Sequence, residues 1–177
     1  MIELSVELVS DLRQHSVNVP DYILDKAVEA GAHRFFSDTE VWLSVQQLSA
    51  FSDQLIVFSD SEHNYITDVK TVVTENGKTV GAMYRNGMLY LDHVVNGEIT
   101  VTFIVAPVSN STTVPDWILP LYKSALVGAS LHYLKAQQGQ DWFDPDGANY
   151  HNSNYMHHMG EARIKDTPHR VRFTPFV

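Results

Sequence analysis

Three histidines and a glutamate gather near the C-terminal end: His151, His157, His158 and Glu161. Imidazole nitrogens and carboxylate oxygens are the donors a divalent metal takes. On a helix, His151 and His158 stand two turns apart on one face, and His157 lies one turn before Glu161. No His-Glu-x-x-His arrangement is present, and a metal centre also needs converging ligands with partners behind them. The expectation is a surface or interface role for these histidines, with no metal and no cofactor.

Two further groups invite a chemical reading. Asp141, Asp144 and Asp146 cluster beside Trp142 and Phe143, which could suit a sugar or calcium. The ligand spacing of an EF-hand is missing, and Asp144-Pro145 suits a capped helix start. Serines are frequent, but no Gly-x-Ser-x-Gly elbow holds one. Without a nucleophile-base pair or a matched pair of carboxylates, no catalysis is expected.

The last residues differ in kind. Arg170 and Arg172 alternate with Val171 and Phe173, and Pro175 and Phe176 follow. At strand spacing one face is basic and the other apolar. Such a segment is either an edge strand of its own domain or an arm that adds to a partner.

The scaffold that must position these groups is modest in size. The chain has 177 residues, 44% of them hydrophobic, enough for a core. The net charge of -9 argues against binding nucleic acid through phosphate neutralisation. Absence of cysteine rules out disulfides and thiolate metal sites. Met1-Ile2-Glu3 lacks a basic start followed by an apolar run, so no signal peptide is expected, and no apolar stretch reaches the length of a membrane span.

Periodicity divides the chain into helical ends and a strand-rich middle. Leu4 to Val9 opens like a short helix, with Ser5 as its cap, fraying near His15. Val19-Pro20-Asp21 starts a stronger helix, in which Ala27, Ala30, Gly31 and Ala32 would let a second helix approach closely. Asn76-Gly77, Asn86-Gly87 and Asn96-Gly97 recur every ten residues, the preferred dipeptide of tight hairpins. They predict a four-stranded antiparallel meander over residues 69–106, preceded by strands near 41–48 and 54–58. Helix returns over about 116–138, where Ala125, Gly128 and Ala129 form a narrow seam, and again from Asp144-Pro145 towards Lys165. The sum is an α+β protein: a helical body of three to four helices from residues 1–40 and 114–166, an inserted β meander at 41–108, and an extended C-terminal arm at 167–177.

Three segments resemble the head-to-tail connector (adaptor) proteins of tailed phages. Residues 19–42 run from Val19-Pro20-Asp21 to Thr39-Glu40-Val41-Trp42, like that family's proline-started helix with a threonine and a tryptophan entering the strand insertion. Val114-Pro115-Asp116-Trp117 and the Gly128-Ala129 step resemble its next helix. Trp142-Phe143-Asp144-Pro145, the helix end Gly160-Glu161-Ala162-Arg163 and the basic tail resemble its last. The resemblance implies a non-enzymatic virion protein of the neck, made in the host cytoplasm. It implies a homo-oligomeric ring, usually twelvefold, that docks on the portal protein and meets tail or nozzle proteins. The ring would extend a channel through which genomic DNA passes without specific binding, and no membrane is involved. It also favours the arm as a portal- or neighbour-binding element, carried by Arg170, Val171, Arg172, Phe173 and Phe176. The alternative reading is a β-rich binding module that recognises a glycan or another virion protein.

Overall fold

A computed structural model describes residues 1–16, 18–59, 62–109 and 111–165. The chain is α+β and divides into two compact units. One is built from Met1–Val41 and the chain from Ser109 onward; the other is Trp42–Val108.

Among the described residues the first unit holds four helices: α1 (Leu4–His15), α2 (Asp21–Thr39), α3 (Ile118–Lys135) and α4 (Pro145–Lys165). Apolar residues at helical spacing meet at the centre. Leu4, Leu8 and Leu12 of α1 are fully buried, as are Phe35 of α2, Leu126 of α3 and Tyr155 of α4. Burial of such side chains, each contributing about 1.5–3 kcal/mol, outweighs the poor helix propensity of the Asn- and His-rich α4.

Each helix start is made differently. Pro20 caps α2 in extended conformation, just before the first helical residue and not within it. Asp144 caps α4: its Oδ1 accepts the Gly147 amide at 2.9 Å, and Lys135 Nζ holds Oδ2 at 2.8 Å. The lysine, and then the Gly147 amide, hold the Asp144 carboxyl below the usual carboxylate range.

Ser5 does not cap α1. Its hydroxyl donates to Glu3, and the helix start is satisfied from a distant segment. Thr112 accepts from the Leu4 amide through its carbonyl (3.0 Å) and from the Ser5 amide through Oγ1 (3.4 Å). Two short strands, β1 (Ile2–Glu3) and β9 (Thr113–Val114), pair antiparallel and bring Thr112 there. Neither strand has enough residues to show a period in the sequence.

Among the described residues the second unit holds seven strands, all antiparallel: β2 (Leu43–Ala50), β3 (Gln54–Ile56), β4 (Asn64–Thr74), β5 (Thr79–Val80), β6 (Ala82–Arg85), β7 (Met88–Leu91) and β8 (Gly97–Pro107). They do not form the expected meander. One sheet has the order β2-β8-β4-β5 and the other β3-β7-β6. The three Asn-Gly pairs explain the difference. Asn86 and Gly87 both take positive φ (52° and 78°) and make the two-residue hairpin between β6 and β7. At Asn76-Gly77 only Gly77 is left-handed (φ 76°), and a longer loop closes between Thr74 and Lys78. Gly97 (φ 135°) opens β8 and turns no hairpin; β8 leaves β7 and pairs with β4 and β2 instead. The composition of Asn-Gly permits a tight turn, and long-range pairing decides whether one forms. Tyr84 of β6 packs edge-on against Phe103 of β8, joining the two sheets through one core.

Candidate functional site

The seam anticipated on α3 lies within the helical unit. Ala125 and Ala129 are buried, and a Cβ on Gly128 would lie 3.3 Å from the His151 carbonyl oxygen and from the Tyr155 amide nitrogen. Gly128 therefore sets the separation of α3 and α4. The opposite face of α3 is tighter still: Ser130 stands where a side chain on Gly31 of α2 would go.

The histidines fall into two groups. His151 is buried, its ring edge-on to His15 (5.6 Å between centroids) and to Tyr150 (5.2 Å). Burial lowers its pKa, and neighbouring His15 lowers it further, which favours the neutral ring. His15, His151 and His158 line a hollow of about 350 Å³ between α1, α3 and α4, where Asp11 pairs with Lys123 at 2.7 Å. The shared face of His151 and His158 follows from their seven-residue spacing.

Further along α4, Glu161 lies 3.6 Å from His157 Nε2 and 3.1 Å from His158 Nδ1, so His158 belongs to both the hollow and this cluster. The three donors lie within 4.8 Å of one another and are largely exposed. Exposed contacts of this kind contribute little to stability.

Behind the helices is a polar knot of structural character. Tyr155, fully buried, donates its hydroxyl to Asp38 at 2.5 Å, and the Arg34 guanidinium lies 4.3 Å above its ring. Burial, then the Asp38 hydrogen bond, pushes the phenol pKa well up. Arg163 Nε donates to the Asp38 carbonyl at 2.7 Å, tying the end of α4 to the end of α2.

The β unit presents the most unusual surface. Phe51, Ile56 and Phe58 are 70–77% exposed. Ile56 and Phe58 border an open hollow of about 510 Å³ with Tyr65, Tyr84 and Met88. Contiguous exposed apolar groups characterise interaction surfaces, ligand grooves and aggregation-prone patches alike. This surface is not singled out by sequence reasoning, although a signal is present. Leu55-Ile56-Val57-Phe58 is apolar at every position, so a strand-like path there must turn apolar groups outward on one side. Val57 is buried, while Ile56 and Phe58 face out.

The arm residues Arg170, Val171, Arg172, Phe173 and Phe176 lie outside the described residues. No helix among those described is long and apolar enough to cross a membrane.

The fold and these surfaces define an α+β protein in which a β unit interrupts a four-helix unit. No family model and no curated protein matches the chain.

Proposed function

We propose that the chain is a structural subunit of a tailed-phage neck, an adaptor that assembles as a ring on the portal and receives tail proteins. The observation that carries this reading is the exposed apolar surface of the inserted β unit, around Ile56, Phe58 and Tyr65. Exposed aromatic and aliphatic area of this kind is suited to burial against another protein. The three segments that resemble phage adaptors supply the class of partner. In this role the helical unit is the ring body, held by the Gly31–Ser130 and Gly128–Tyr155 approaches. Its work is mechanical, without catalysis, and its net charge of -9 per copy suits a channel past which DNA slides.

Sedimentation with purified portal protein tests the reading. The intact chain should co-sediment with portal rings. A chain shortened to residues 1–167 should keep its circular dichroism and melting but fail to co-sediment. Co-sedimentation of the shortened chain would remove the arm from the docking role, and no association of the intact chain would remove the portal.

A further inference from the structure

The β unit treats its sheet edges unequally. An unpaired edge invites another chain, and proteins blunt edges with short strands, charges, prolines or bulges. Three of the four edges here are short: β5 has two residues, β3 three, and β6 four with Arg85 at its end. The fourth is β2. It runs eight residues, Leu-Ser-Val-Gln-Gln-Leu-Ser-Ala, without a charge, a proline or a glycine. Among the described residues it pairs only with β8, in unbroken register from Leu43↔Ile104 to Ala50↔Gly97. Val45 at its middle is 64% exposed. Gln46 on this strand donates from its Nε2 to the Phe58 carbonyl at 3.1 Å.

We propose that this edge is the docking strand for the C-terminal segment of a neighbouring copy, with residues 168–177 adding to β2 as a further strand. The inference rests on the ring reading above and names the surface the arm would meet. Three observations converge on this occupant. The segment alternates Arg170, Val171, Arg172 and Phe173, the period that presents one side of a strand to a sheet face. Its charge is complementary: residues 167–177 hold two arginines and no acidic residue, whereas the β unit holds seven acidic and three basic residues. Its length suffices to line the strand, since β2 has eight residues and 168–177 is longer.

The absence of cysteine makes the test direct. Full-length Val45→Cys protein is mixed with full-length Val171→Cys or Phe173→Cys protein under mild oxidation. Residues opposed across paired strands lie about 4.5–5.5 Å apart at Cα, within disulfide reach. The expected result is a crosslinked dimer containing one copy of each variant. Amide exchange over residues 43–50 should also be slow in the assembled wild type and fast in Val171→Pro, which lacks the strand amide. Rings that form on portals without any crosslink, and with β2 exchange unchanged by Val171→Pro, would overturn the docking strand and leave the adaptor reading standing. In a chain carrying both Val45→Cys and Val171→Cys, a disulfide formed only within one chain and never between chains would overturn the neighbour as occupant. A mixed dimer in a protein that ignores portals would keep the docking strand and sink the portal reading.

Discussion

Gly31 of α2 and Ser130 of α3 meet backbone to backbone: a Cβ on Gly31 would lie 2.7 Å from the Ser130 amide nitrogen and 2.9 Å from its Cα. No rotamer change relieves a clash with main chain, so the two helices must part to admit even a methyl group. Gly31→Ala should cost about 1–3 kcal/mol, the range of overpacked cores. Removing the Ser130 hydroxyl as well should not restore it. Gly128→Ala should cost less, because its Cβ would sit 3.3–3.4 Å from the α4 backbone. Urea unfolding midpoints compare the three, and a Gly31→Ala protein as stable as wild type would mean the α2–α3 contact yields freely.

Thr112 closes the start of α1 from 107 residues away in sequence. Thr112→Val keeps the volume and the carbonyl bond to Leu4 but removes the hydroxyl that accepts from the Ser5 amide and donates to Glu3. The expected loss is about 1 kcal/mol, typical of a side-chain cap. Thermal melting would register it, and amide exchange should rise first in the opening turn of α1. Faster exchange spread evenly over all four helices would contradict a local cap.

His151 makes stability depend on pH. Its pKa is lowered in the fold, by burial first and then by His15, Lys135 and His132, with Asp144 opposing. The unfolded chain therefore takes up the proton first as pH falls through about 6.5. The contribution is fully present above that value and is lost as the pH drops below it. Unfolding midpoints should decline between pH 7 and pH 5 more steeply for wild type than for His151→Gln. Parallel curves would show that the ring does not carry the effect.

Electrostatics argue against adsorption to DNA. With each copy at -9, the proposed ring would multiply a charge of the same sign as the duplex and repel it. No gel shift of duplex DNA is expected near physiological salt. A shift that weakens steeply with added salt would instead reveal a basic binding face.

The helices were legible because their signals are local. Pro20, Asp144-Pro145 and the apolar spacing mark three of the four starts within a residue or two. The cap of α1 was not legible, since Ser5 is a plausible cap by type and Thr112 arrives through two-residue strands. Strand existence was legible and sheet order was not. Asn-Gly codes for what a turn can do, while β8 chooses β2 and β4 through apolar faces far apart in sequence. Of the site, the α3 seam and the shared faces of the α4 histidines follow from spacing. The exposed apolar hollow and the unguarded β2 edge depend on which strands become neighbours, and no spacing rule contains that.

The central claim, a ring of identical copies seated on a portal, is met most directly by native mass measurement of the full chain with purified portal protein. The account predicts a complex whose mass exceeds the portal ring by a fixed whole number of chains, twelve for a symmetry-matched adaptor. A chain that stays monomeric at every concentration and adds nothing to the mass of the portal would contradict it.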